Sequence, residues 1–170
     1  MLPKIFNKSI QLKYCPETFK QSIIVALRKL GKDDYTKPKA YWPIALINTL
    51  GKILDTVLAR RIQYYAEKHH MLPKTHTGER KQTSCKHRIY LLFEKVYSAW
   101  QKNKVALLLL LDIAGAFDNV SYARLLYNIR KRGLLKEIVT WIASYLTGRK
   151  TKIKLFKDTS EYFDVSTGIP

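Results

Sequence analysis

From Val105 to Leu111 every position is apolar, and the run ends on an acid, Asp112. An unbroken apolar stretch of that length predicts a strand covered on both faces, with its C-terminal end opening into a crevice. Elsewhere the pattern is periodic. Ser22 to Leu30 reads as a strand that carries Arg28 and Lys29 at its end, and Gly31 to Asp34 as the turn after it. Pro38 and Pro43 keep Lys37 to Ile44 extended. From about Asn48 the apolar positions Leu50, Ile53, Leu54, Val57, Leu58, Ile62 and Tyr65 recur at three and four, which predicts an amphipathic helix whose stripe is core. A polar loop, Leu72 to Thr83, precedes Ser84, a predicted N-cap for a second helix reaching about Gln101 through Ile89, Leu92, Phe93, Val96, Tyr97 and Trp100. Ser121 caps a third helix stopped by Gly133, and Leu135 to Leu146 forms a fourth stopped by Gly148; both are expected to pack beside the central strand. Thr151 to Phe156 and Glu161 to Val165 alternate as strands around a turn at Lys157 to Ser160. The first stretch of the chain alternates turn signals with short apolar pieces.

Charge narrows the class of partner. The 170 residues hold 31 Lys plus Arg against 13 Asp plus Glu, a formal net charge of +18. Chains this basic meet polyanions. The cations are dispersed, with pairs or triplets at Arg28-Lys29, Arg60-Arg61, Arg80-Lys81, Arg130 to Arg132 and Arg149-Lys150, and Tyr and Trp lie among them. Cationic and aromatic groups together hold single strands and heteroduplexes through phosphate contacts and stacking. No long basic amphipathic helix suited to a membrane surface is evident, and no apolar run approaches the roughly 18 residues that span a bilayer. The start, MLPKIFNKSI, lacks the apolar region of a secretory signal, so an intracellular location is expected. Cys15 and Cys85 read as reduced thiols, and the four His show no zinc-ligand spacing.

The chemistry centres on the end of the apolar run. On its own, Asp112 could cap a local turn or could present a carboxylate to a crevice, and both readings stand at this point. Gly115, Phe117 and a second acid, Asp118, follow it.

The order of segments along the chain carries a more specific signal. KLGKDDY (Lys29 to Tyr35), YWPIAL (Tyr41 to Leu46), NTLGKILDTVLARR (Asn48 to Arg61), the loop Leu72 to Ser84, LDIAGAFDNV (Leu111 to Val120) and STGIP (Ser166 to Pro170) resemble, in sequence, the conserved blocks of reverse transcriptases of non-LTR (LINE-like) retrotransposons. The resemblance covers essentially the whole chain. It implies an α/β (α+β) fragment of a right-hand polymerase, with a fingers-like region at 1–104 and a partial palm at 105–170, an incomplete palm sheet flanked by helices. It implies an RNA-directed DNA polymerase that copies an RNA template from a DNA primer with deoxynucleoside triphosphates and two Mg²⁺ ions, in the nucleus and without a membrane; oligomeric state stays open.

Residue by residue, the resemblance implies that Asp112 is a catalytic metal ligand and that the backbone carbonyl of Ile113 is a second ligand. Gly115 and Ala116 would bring backbone amides to the incoming triphosphate, and Phe117 would stand under the sugar and exclude a 2′-hydroxyl. Lys29 and Lys32 would face the incoming nucleotide, and Arg80 and Lys81 the nucleic acid backbone. Hard cations take carboxylate and carbonyl oxygens, which suits Asp112 and Ile113.

Departures from the pattern matter equally. Trp42 stands where the family has an Arg that grips triphosphate, and an indole cannot do that work. Leu30, His76-Thr77 and Glu79 also depart. The paired-Asp element would lie beyond Pro170, so the 170 residues alone are expected to be inactive. Two readings follow: part of a functional polymerase, or a truncated or decayed element copy that keeps only non-specific nucleic-acid binding. A basic α/β binding module of unrelated ancestry is the third.

Overall fold

The computed structural model describes residues 2–73, 75–78, 80 and 84–169. They form two compact units, Met1–Ile62 with Gly115–Pro170, and Gln63–Ala114. In chain order the elements are α1 (Leu2–Gln11), α2 (Glu17–Lys20), β1 (Gln21–Arg28), β2 (Tyr41–Ile47), α3 (Thr49–Lys68), α4 (Cys85–Gln101), α5 (Tyr122–Lys131), α6 (Lys136–Leu146), β3 (Lys150–Leu155), β4 (Asp158–Thr159) and β5 (Phe163–Asp164). A 3₁₀ turn at Pro38–Ala40 leads into β2. No described helix is long and apolar enough to cross a membrane.

The first unit is built on a mixed sheet. Its order is β2-β1-β3-β4, with β5 also paired to β3. β1 and β2 run antiparallel with Ser22 opposite Ile47 and Leu27 opposite Trp42. β1 and β3 run parallel with Ser22 opposite Thr151 and Val25 opposite Lys154. Side chains alternate across a strand, and residues directly opposite share a face. One face therefore carries Ser22, Ile24, Pro43, Ala45 and Thr151; the other carries Ile23, Val25, Leu27, Trp42, Ile44, Leu46, Lys152 and Lys154. On the first face the Ser22 hydroxyl donates to Thr151 Oγ1 at 2.9 Å, a buried polar pair that satisfies itself.

The core lies among the helices. Cys15, Phe19, Leu54, Leu58 and Trp141 are buried together, with Phe6, Ile10, Ile142 and Tyr145 packed against them. Trp141 Nε1 donates to Ser9 Oγ at 3.0 Å, and the Cys15 amide donates to Ser144 Oγ at 3.0 Å, so the polar atoms enclosed here have partners. Gly51 lets α3 approach closely: a Cβ there would meet Phe19 Cβ at 3.2 Å.

Several expectations hold in detail. β1, β3, α3, α5 and α6 fall within a few residues of their predicted spans. Ser84 Oγ accepts from the His87 amide at 3.2 Å, and Ser121 Oγ from the Arg124 amide at 3.4 Å, so both predicted caps form. Gly133 and Gly148, with φ of 84° and 68°, end α5 and α6 as expected.

Others are corrected. Val105 to Leu111 is not a strand, and it is not buried: Val105 is 91% and Leu107 92% exposed. A strand exists only where its amides and carbonyls find a ladder, and the five strands of the sheet pair among themselves and leave this run without one. Consequently α5 and α6 do not flank a central strand at this position; they pack on each other, and α6 also on α1 and α2. Residues 161–165 shrink to the short β5, and the predicted turn contains β4. α1 forms at Leu2–Gln11, a stretch in which the sequence shows turn signals alternating with short apolar pieces. α4 keeps its helical spacing, yet none of its described side chains is buried, so its apolar stripe faces solvent rather than a core.

Candidate nucleotide and nucleic-acid site

In the first unit, two stretches that the sequence singled out are hydrogen-bonded together. The Ile169 amide donates to Phe117 O at 3.1 Å and the Gly168 amide to Val120 O at 3.0 Å. Tyr122, at the start of α5, donates from its hydroxyl toward Val165 O and Thr167 O at 3.4 and 3.3 Å. Gly115 has φ of 62°, and a Cβ there would strike Asn119 Nδ2 at 2.6 Å. Its carbonyl accepts from both the Asn119 amide and Asn119 Nδ2 at 3.0 Å, so the turn is folded on itself around a residue without a side chain.

This turn borders a cavity of about 500 Å³ lined by Phe117, Asp118, Arg149, Thr151, Thr167 and Gly168, among others. Phe117 is 70% exposed, a ring offered to the opening rather than spent in a core. Ala116, beside it, is exposed in the same turn. Arg149 is the opposite case, only 6% exposed, with Nη1 buried and without a hydrogen-bond partner among the described residues. Its guanidinium lies 5.4 Å from the centre of the Tyr145 ring. Tyr145 is hydrogen-bonded to Asp55, and burial pushes the Asp55 carboxyl up while Tyr145 and the Arg149 charge pull it down. Burial likewise raises the Tyr145 hydroxyl. This Asp55, Tyr145 and Arg149 group was not singled out from the sequence; only the Arg149-Lys150 pair was noted, because helical periodicity marks which face is buried but not which polar groups meet across elements.

At the far end of β1, the Lys29 amide donates to Ala40 O at 2.8 Å and its Nζ donates to Lys39 O at 3.0 Å. The same ammonium stands 4.4 Å from the centre of the Trp42 ring. Arg28 is flanked by the rings of Tyr35 and Phe156 at 5.3 and 5.1 Å. Lys32 is exposed in the turn after β1. Basic and aromatic side chains thus alternate over one end of the sheet.

The second unit holds the remaining candidates. Asp112 is exposed, and its Oδ1 accepts from the Ile113 amide at 2.9 Å. Arg80 is paired with Glu67: Nε donates to Oε1 at 2.7 Å and Nη2 contacts Oε2, while Nη1 donates to His76 O at 3.2 Å. That fork holds the Glu67 carboxyl below its usual range. Arg80 therefore ties the loop 72–80 to α3, a role that its place in a basic loop did not suggest. Lys81 lies outside the described residues.

A carboxylate and a carbonyl at Asp112 and Ile113 are hard oxygen donors of the kind Mg²⁺ takes. They do not complete a two-metal site: no group of three or more His, Cys, Asp or Glu side chains able to hold a metal occurs among the described residues.

Residues 29–170 match the family described as reverse transcriptase (RNA-dependent DNA polymerase). Over 98% of its length the chain is 28% identical to a Drosophila melanogaster protein named "Probable RNA-directed DNA polymerase from transposon X-element". It is 27% identical over 99% of its length to the RNA-directed DNA polymerase from mobile element jockey of the same species, and 28% identical over 98% to that of Drosophila funebris. The chain spans 18% of the length of each of these relatives.

Proposed function

Because the chain belongs to the reverse transcriptase family, in the lineage carried by non-LTR retrotransposons, we propose that it contributes the nucleotide-facing part of an RNA-directed DNA polymerase that copies RNA into DNA. The observation that carries the reading is the family match over residues 29–170, a span that includes Asp112, Phe117 and Gly168. The cavity beside Phe117 and Gly168 supports it, because a concave site with an exposed ring and a tightly turned backbone suits a sugar and its phosphates.

In this reading the Phe117 ring packs under the deoxyribose and leaves no room for a 2′-hydroxyl. Gly115 and Ala116 let backbone amides come close to phosphate oxygens, since no Cβ stands at Gly115. Lys29 and Lys32 supply positive charge to phosphate groups at the end of β1. Asp112 and the Ile113 carbonyl contribute oxygen ligands to Mg²⁺, which when bound would activate a primer hydroxyl and neutralise the leaving pyrophosphate. Arg80 and Lys81 are proposed to lie near the template backbone, with the Glu67 pair holding Arg80 in place. RNA template, DNA primer and deoxynucleoside triphosphates are the proposed partners, and the nucleus the proposed location.

Trp42, an indole where the resemblance expects an arginine, favours a second reading, a chain that binds nucleic acid without polymerising. Primer extension separates the two. With the full-length polypeptide that carries this segment, an RNA template, Mg²⁺ and deoxynucleotides, extension that Asp112→Ala abolishes supports the polymerase. Equal extension by Asp112→Ala, or none by either protein, rejects it.

A further inference from the structure

We propose that Trp42 and Lys29 form a subsite for an unpaired base of a single-stranded polynucleotide and for the phosphate next to it. The inference rests on the nucleic-acid reading above and assigns a residue that reading leaves without a role.

The register puts Trp42 on the sheet face that it shares with Leu27, Val25, Ile44 and Leu46. Trp42 is 58% exposed, and Leu27, Ile44 and Leu46 are also exposed, so this face is open to solvent around Trp42, while Ile23 and Val25 are half-buried. A surface contact between an ammonium and an indole is weak and does not by itself explain a large ring held open to solvent. Lys29 is nonetheless placed, because Lys39 O holds its Nζ at 3.0 Å while the charge stays 4.4 Å from the ring centre. The ammonium stands over one face of the indole, so a base would stack on the opposite face, without regard to its identity, while the cation meets the adjoining phosphate.

Charge selects the occupant. Lys152 and Lys154 sit on the same face, opposite Ile23 and Val25. They lie two strand spacings across from Trp42 and two to four residues along the strand, about 12 to 17 Å away, a reach that suits a strand of several nucleotides better than one nucleotide. A second copy of this chain carries the same charge of +18 and would be repelled. An acidic strand is attracted along the whole row.

The test is a binding titration of the 170-residue chain by anisotropy, using labelled oligouridylate, an abasic oligonucleotide of equal length, and dTTP. Trp42→Ala should weaken oligouridylate binding about tenfold, Trp42→Phe should restore most of it, and Trp100→Ala, which removes another exposed indole, should change nothing. Affinity for the abasic strand should be equal in wild type and Trp42→Ala. The proposal is overturned if Trp42→Ala binds oligouridylate like wild type, if it loses abasic binding equally, if dTTP binding alone depends on Trp42, or if Trp42 instead governs dimerisation. If wild type binds both strands alike with a steep salt dependence, nucleic-acid binding stands and only this subsite falls; if it binds neither, both readings fall.

Discussion

Gly168 sits against the backbone of Asp118 so closely that a Cβ at 168 would lie 2.8 Å from the Asp118 carbonyl oxygen. With φ of 80°, the position is also one that L side chains rarely adopt. The contact joins the turn that carries Phe117 to the segment 165–169, which form one wall of the cavity. Gly168→Ala should therefore destabilise the chain by more than about 1 kcal/mol, the ordinary penalty for a side chain at positive φ. Gly133→Ala, at a φ of 84° with nothing within 4 Å, should show only that penalty. Denaturant titration of the two variants measures the difference, and equal losses would mean that the close approach does not matter.

Asp55 gives a pH dependence whose sign is fixed by burial. Its carboxyl is raised in the folded state, so the folded form prefers the proton and ionisation opposes folding. Its contribution is fully present below the ordinary carboxylate range and is lost as pH rises through the raised value. Asp55→Asn should flatten that part of the stability profile, which thermal unfolding across pH 3 to 7 (roughly the span of Asp and Glu titration) would reveal.

Glu67 has the opposite sign. The Arg80 fork lowers its carboxyl, so the pair supports the fold above the usual Glu range and loses that support as pH falls through the lowered value. Glu67→Gln should remove it at neutral pH, and wild type and variant should converge in acid. Hydrogen exchange at 72–78 is the direct readout: faster exchange in the variant at neutral pH is expected, and unchanged exchange would show the loop is held by other contacts.

Leu109, 75% exposed in the run that ends at Asp112, should tolerate a charge. Leu109→Lys is expected to leave the unfolding midpoint within about 0.5 kcal/mol of wild type, as surface changes do, while reducing light scattering on concentration. A large fall in stability would instead mean that the run is buried.

What the sequence disclosed follows from which interactions are local. α3 is legible because its stripe needs only its own spacing, and Ser84 and Ser121 are legible because a cap bonds within three residues of itself. α1 was missed although Phe6 and Ile10 are four apart and reach the core, since Pro3, Asn7 and Ser9 read as turn signals among short apolar pieces. The strand expected at Val105 to Leu111 failed for a non-local reason: an apolar run states a wish for burial, but a strand needs neighbours that the run cannot name. Candidate residues were found by their order along the chain, whereas the Glu67 partner of Arg80 and the Lys29 partner of Trp42 were not. Those pairs are set by how loops return onto helices and strands.

Cys15 and Cys85 have opposite surroundings: Cys15 is fully enclosed and burial pushes its thiol up to about 12, while Cys85 begins α4 in the open. A maleimide dye needs thiolate and access. The folded chain should accept dye at Cys85 alone, and denaturation should admit a second at Cys15. The protein thus carries a built-in gauge of its own integrity, readable by mass on any preparation.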